Sequence, residues 1–222
     1  MLSELIKELE PYHAQLVAVS KTKPVEAIRV LYDEGQRIFG ENRVQEIMEK
    51  VDHLPGDIQW HMIGHLQTNK IKYIAPFIAL IQSVDRPKLL RAIHAEGEKI
   101  NRKIPVLLQL HVAQEETKFG FTEEELTGFL AQEPPEQFPF VTIRGLMAMA
   151  SFTEDREQIH REFALVKSIY NRIKAKYFAN KPEFRECSIG MSGDYKIALE
   201  EGATMVRIGS LLFGPRPCQL NP

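Results

Sequence analysis

Two cysteines in 222 residues are too few for a disulfide framework, and neither Cys187 nor Cys218 belongs to a Cys-x-x-Cys pair. Cys187 lies in an apolar run and Cys218 in a short proline-rich tail, which suits one core thiol and one surface thiol in a reducing compartment. Neither sign of charge is in excess, with Lys+Arg 28 against Asp+Glu 30, so there is no general electrostatic reason to expect a nucleic acid or an anionic membrane as partner. No apolar run is long enough to span a bilayer. The opening Met-Leu-Ser-Glu-Leu-Ile-Lys-Glu-Leu-Glu has the interleaved acids of an amphipathic helix rather than the apolar stretch of a signal peptide, and the expected location is cytoplasmic. There is no linker, since Glu133-Pro134-Pro135-Glu136 is too short, and no low-complexity segment or repeat of solenoid period. These absences leave one domain over 1–222, with an N-terminal helix at 1–12 and a short C-terminal tail at 215–222.

What is present is alternation. Short apolar, β-branched runs recur at Gln15–Val19, Arg37–Phe39, Gln59–Ile63, Ile78–Gln82, Val106–His111, Thr142–Met147, Cys187–Ile189 and Met205–Ile208. Val106-Leu107-Leu108-Gln109-Leu110 is nearly continuous in apolar character, as in strands buried on both faces of a parallel sheet. Helical patterns lie between the runs. Pro24 opens Val25–Asp33 and Gly35 closes it. Thr122 and Glu125 form a capping-box signature ahead of Leu126–Ala131. The longest pattern, Asp155–Phe178, carries Ile159, Phe163, Val166, Ile169, Ile173 and Tyr177 on one face. Strand and helix in regular alternation imply right-handed crossovers and a parallel sheet, an α/β fold. Eight strands and eight helices favour a (β/α)8 TIM-type barrel, and barrels of about 200 residues exist. Because the second strand is short, an open doubly wound sheet is the alternative.

In such a barrel, ligand-binding residues collect where strands end. The first strand ends in Val19-Ser20-Lys21-Thr22-Lys23-Pro24. Lys21 starts at the rim of the core, where desolvation and the like charge of Lys23 favour a neutral amine, the form that attacks an aldehyde. Gly190-Met191-Ser192-Gly193 and Gly209-Ser210 follow the seventh and eighth strands, a common phosphate position in barrels. Arg207 falls inside the last apolar strand, where an unpaired guanidinium is costly. Spacing leaves two readings for it: a structural ion pair with a carboxylate, or a group pointing into the barrel mouth. His61 and His65 lack a third ligand at metal spacing, so zinc is not expected. His61 reads as a packed, hydrogen-bonded histidine, and His65 as one that could line the site.

At these residues the chain resembles the pyridoxal phosphate homeostasis protein family, single-barrel relatives of bacterial alanine racemase. The resemblance rests on Ala18-Val19-Ser20-Lys21-Thr22-Lys23-Pro24, Phe39-Gly40-Glu41-Asn42, Trp60-His61-Met62-Ile63-Gly64-His65-Leu66-Gln67, Gly145-Leu146-Met147, Gly190-Met191-Ser192 and Val206-Arg207-Ile208-Gly209-Ser210, with Phe213-Gly214. Several blocks in one order are far more specific than any one of them. The resemblance implies an alanine-racemase-like barrel of pyridoxal-phosphate fold type III that holds pyridoxal 5′-phosphate as an internal aldimine, a Schiff base on Lys21. It also implies that Ser192, Gly209 and Ser210 hold the phosphate with Met191 beside them, that Arg207 meets the pyridine nitrogen, and that Asn42 lies near the ring. The chain departs from the family at Arg43, where tyrosine is usual, at Ile189, where methionine is usual, and in its tail.

An arginine at the pyridine nitrogen leaves it unprotonated and weakens the cofactor as an electron sink. The two-domain racemases take a second base, a tyrosine, from a further domain of the partner subunit, whereas the last tyrosine here is Tyr195. The leading expectation is therefore not an enzyme but a protein of intracellular cofactor homeostasis that stores, buffers or delivers pyridoxal phosphate. Apo pyridoxal-phosphate enzymes are its expected clients, and it is expected to be a monomer. The alternatives are a weak single-domain amino-acid racemase and a Schiff-base aldolase without cofactor.

Overall fold

A computed structural model describes residues 1–113 and 119–214; the tail expected at 215–222, with Cys218, lies outside the described residues. The strands are β1 (Gln15–Val19), β2 (Ile38–Glu41), β3 (Gln59–Met62), β4 (Leu80–Val84), β5 (Ile104–Gln109), β6 (Val141–Met147), β7 (Glu186–Met191) and β8 (Met205–Ile208). They pair in chain order, all parallel, and β8 closes on β1 through Gln15↔Met205 to Ala18↔Ile208. Closure rules out the open sheet. Outside the strands lie α1 (Leu2–Leu9), α2 (Val25–Asp33), α3 (Val44–Val51), α4 (Ile71–Ile74), α5 (Pro87–Lys99), α6 (Glu123–Gln132), α7 (Arg156–Tyr177), α8 (Tyr195–Glu200) and α9 (Ser210–Phe213). The helix expected at 1–12 is α1 followed by one 3-10 turn at Glu10–Tyr12.

The fourth strand begins later than apolar character suggests. The N–H groups of Phe77 and Ile78 both donate to the Ile74 carbonyl, so these residues finish the turn after α4 before the chain extends. β2 runs on through Gly40 and Glu41 because the Phe39↔Trp60 and Gly40↔His61 pairings hold it against β3, while β5 lies two residues earlier than its apolar run and β7 extends to both sides of Cys187–Ile189. The capping box of α6 is formed: Thr122 Oγ1 accepts from the Glu125 N–H at 3.1 Å, and Glu125 accepts from the Thr122 N–H at 2.9 Å.

Two apolar layers result from the strand period of two. Leu16, Ala18, Phe39, Trp60, Ile81, Leu108, Leu146 and Val206 face outward and pack with the helices, including Ile159, Phe163, Val166, Ile169 and Ile173 of α7. Val17, Leu80, Leu107, Met147 and Met205 face inward and fill the barrel, with Ile38 against them. A Cβ at Gly40 would lie 2.9 Å from Val17 Cγ1 and 3.2 Å from Ile63 Cδ1, so a side chain there would crowd the interior. Gly145 is structural rather than part of a ligand site: with φ +150, its Cβ would meet the Glu186 carbonyl oxygen at 1.8 Å. It sits where the β5–β6 register slips by a residue, between Val106↔Ile143 and Leu107↔Gly145.

Candidate ligand site in the barrel mouth

The inward series continues past the strand ends into a cavity of about 520 Å³, within the range of small-molecule sites. Val17 fills the barrel, while Val19 and then Lys21 line the cavity above it; likewise Met205 is followed by Arg207 and Gly209, and Met147 by Met149. The seven residues expected to contact a cofactor, Lys21, Asn42, Met191, Ser192, Arg207, Gly209 and Ser210, all border this one space. Lys23 and Arg207 supply positive charge there and Lys21 an amine, and no carboxylate is among the described lining residues.

Local geometry explains each placement. The β7–β8 register jumps from Ser188↔Met205 to Met191↔Arg207, a bulge that re-aims Met191 and Ser192 at the strand end. Gly190, at φ +91 with its Cβ position 2.5 Å from Ala198 Cβ, is what lets that bulge press on α8. Ser192 Oγ accepts from the Gly209 N–H at 3.2 Å, which ties the two small-residue loops together. Asn42 is set by close backbone contact: a Cβ on Gly64 would lie 2.4 Å from the Asn42 carbonyl oxygen. The two lysines are held differently. Lys23 Nζ donates to the Phe213 carbonyl at 2.9 Å, at the end of α9. Lys21 is half-buried between β1 and α2 and borders the cavity.

Arg207 is buried, and among the described residues no carboxylate reaches it within ion-pair distance. The structural ion-pair reading therefore fails. Its Nη1 donates to the Ser188 carbonyl at 2.8 Å and to Ser188 Oγ at 2.7 Å, and its Nη2 donates to the Ala148 carbonyl at 2.8 Å. Three of a guanidinium's five donors are thus engaged by the barrel wall, while the group borders the cavity. Burial pulls its pKa down to about 10, against the opposing pull of the Asp194 charge.

Below the cavity, a hydrogen-bonded chain crosses the barrel. Ser188 Oγ donates to Gln82 Oε1 at 2.7 Å, and Gln82 Nε2 lies 2.9 Å from His61 Nδ1. Burial pushes His61 down to about 3, so the ring is neutral, and it is the packed, hydrogen-bonded histidine its position suggests. His65 does line the cavity, with Nδ1 2.9 Å from Asp85 Oδ2 and its ring stacked on Phe119 at 4.2 Å between centroids. Gln109, Phe119, Met149 and Phe152 also border the space and were not picked out from sequence. Gln109 carried a usable signal, a polar residue at the end of an apolar strand. Phe119 and Phe152 sit on loops, where nothing in the local pattern gives a direction. Of the three departures, the tail from 215 lies outside the described residues, Ile189 is buried among the outward core residues, and Arg43 is the residue before α3; neither Ile189 nor Arg43 borders the cavity.

Residues 2–217 match the family described as alanine racemase, N-terminal domain. Among curated relatives, the pyridoxal phosphate homeostasis protein of Aquifex aeolicus is 40% identical over 204 residues, covering 91% of this chain and 87% of its own. That of Vibrio alginolyticus is 39% identical, covering 93% and 88%. Among solved structures, PipY of Synechococcus elongatus with PLP bound superposes with a TM-score of 0.85 at 35% identity, covering 96% of this chain and 98% of that one. An alanine racemase of Clostridium difficile shares the fold alone, with a TM-score of 0.73 at 14% identity over 56% of its length.

Proposed function

This chain belongs to the pyridoxal phosphate homeostasis protein family, and from that membership we propose that it binds pyridoxal 5′-phosphate in the barrel mouth and stores, buffers or delivers it in the cytoplasm. The observation that carries the reading is one cavity bordered by Lys21, Asn42, Met191, Ser192, Arg207, Gly209 and Ser210, with cationic side chains and no carboxylate among its described lining. That donor set fits a phosphorylated aldehyde: an amine for the carbonyl carbon, cations and small-residue loops for the phosphate, and a planar cation for a ring nitrogen. When bound, the cofactor supplies an electrophilic carbonyl and a ring that can take up electrons.

Each residue then has a task. Lys21 Nζ is the covalent anchor. Ser192, Gly209 and Ser210 orient the phosphate, with Met191 beside them. Arg207 faces the pyridine nitrogen and, as a donor-only cation that cannot accept a hydrogen bond, keeps that nitrogen unprotonated. Asn42 orients the ring edge. A carrier is favoured over a racemase because the close relatives are named as homeostasis proteins, while the racemases resemble the chain only in fold. Among the described residues no helix is long and apolar enough to cross a membrane. The protein is read as a monomer whose partners are the cofactor and apo pyridoxal-phosphate enzymes, with no nucleic acid or membrane.

Borohydride reduction of the loaded protein, followed by peptide mapping, tests the anchor: the pyridoxyl group is expected on Lys21, and a label mainly on Lys23 refutes the assignment. Delivery is tested by mixing loaded protein with an apo enzyme in the presence of a trap for free cofactor. Activity restored despite the trap supports direct transfer, whereas restoration only without it makes the protein a passive reservoir.

A further inference from the structure

The block Phe39-Gly40-Glu41-Asn42 contributes Asn42 to the cavity but leaves Glu41 without a task. Glu41 is fully buried between β2 and α3, beside Lys50, which is itself 6% exposed. Glu41 Oε1 accepts from Ser20 Oγ at 2.6 Å and from Lys50 Nζ at 2.8 Å, and Lys50 Nζ also donates to the Ser20 carbonyl at 3.1 Å. One helical turn before Lys50, Glu46 pairs with the same ammonium at 3.5 Å and accepts from the Thr22 N–H at 2.6 Å. The residues on either side of Lys21 are thus each bonded to a carboxyl group, and one buried lysine joins the two.

The turn so held is unusual. Thr22 has φ +62, a left-handed conformation that a β-branched residue adopts only under constraint. The Lys23 N–H closes the turn by donating to the Ser20 carbonyl at 3.0 Å. A buried Lys–Glu pair is seldom the most stabilising way to fill a core, and among the described residues Glu41 Oε2 has no hydrogen-bond partner. Stability alone therefore gives a weak account of the cluster, whereas the placement of a strained turn accounts for every bond in it.

We propose that Glu41, Glu46 and Lys50 form a buried brace that holds the Ser20–Thr22 turn so that the Lys21 side chain is presented to the cavity, making all three positioning residues for the covalent anchor. The inference rests on the reading of Lys21 as that anchor. Glu46 does the most direct work, since its carboxylate fixes the Thr22 N–H and with it the left-handed backbone. Glu41 and Lys50 fix Ser20 on the other side and tie both halves to α3.

The test uses the full chain and two readouts on pyridoxal 5′-phosphate: total bound cofactor by equilibrium dialysis, and the fraction that borohydride fixes to Lys21. Glu46→Ala should lower the fixed fraction about ten-fold, the worth of one hydrogen bond to a charged acceptor, while total binding through the phosphate contacts changes far less. Glu46→Gln keeps an acceptor oxygen and should restore most of the fixed fraction. Thr22→Gly in the Glu46→Ala background should also recover part of it, because glycine takes a positive φ without needing the carboxylate. A Glu46→Ala protein that is labelled like the parent overturns the brace. So does one in which fixed and total cofactor fall together in step with a lowered melting temperature, since that marks a general structural role. If the parent itself is not labelled on Lys21, the anchor reading fails first and the brace with it.

Discussion

Replacing Arg207 by methionine separates what this side chain does for the fold from what it does for the ligand. Burial pulls the guanidinium down from the ordinary arginine range to about 10, so keeping the cation in place costs the folded state about 3 kcal/mol. Arg207→Met removes that cost and keeps an unbranched side chain of similar reach. It also leaves the Ser188 and Ala148 carbonyls without their donor, at about 1–3 kcal/mol each. Ser188 Oγ still donates to Gln82, so the chain across the barrel survives. The opposing effects nearly cancel. The melting temperature of the cofactor-free variant should stay within about 6 °C of the parent, since about 1 kcal/mol moves a chain of this size by about 2–4 °C. The cofactor should respond far more, with a shifted visible band and faster loss on dialysis, because its ring nitrogen has lost its partner. Thermal melts without cofactor and absorption spectra with it give the two readouts. A melting temperature lowered by tens of degrees would show that the arginine is chiefly structural. An unchanged spectrum in a folded variant would show that it does not face the ring.

Three further outcomes are expected. Burial raises Glu41 from 4.5 to about 7, so the folded protein holds this proton where the unfolded chain has lost it. Stability contributed by this group is therefore present below about pH 4.5 and falls by up to about 3 kcal/mol as pH rises to about 7. Urea denaturation at pH 5 and pH 8 should show the decline in the parent and a smaller one in Glu41→Gln, and equal slopes would contradict it. Gly64→Ala places a Cβ 2.4 Å from the Asn42 carbonyl oxygen, and backbone cannot yield cheaply. It should destabilise by about 1–3 kcal/mol and weaken cofactor retention, measured by denaturation and dialysis. Ser192→Ala combined with Ser210→Ala should weaken binding more than either change alone; a pair no weaker than the worse single change would remove one of the serines from the phosphate contacts.

Much of this architecture is written locally. Period-two alternation in strands buried on both faces, with helices between them, determined the parallel α/β class, because each strand had to hide two apolar surfaces and each helix only one. The same period determined that Val17, Val19 and Lys21 share a direction, as do Met205, Arg207 and Gly209, so the candidate ligand residues could be named from strand ends before any were seen to meet. Closure was not local: it depends on β8 finding β1 across nearly the whole chain, and strand count alone left the open sheet standing. Nor did sequence decide what Arg207 faces, since an arginine in an apolar strand satisfies itself equally with a carboxylate or with carbonyls; only the packed barrel brings the Ser188 and Ala148 carbonyls to it, with no carboxylate of the described residues at ion-pair distance. The brace is the clearest case. Ser20, Glu41, Glu46 and Lys50 look like ordinary rim and helix polar residues, and only the docking of α3 against the ends of β1 and β2 buries them together beneath the lysine turn. Periodicity fixes which way a side chain points, and tertiary packing fixes what it finds there.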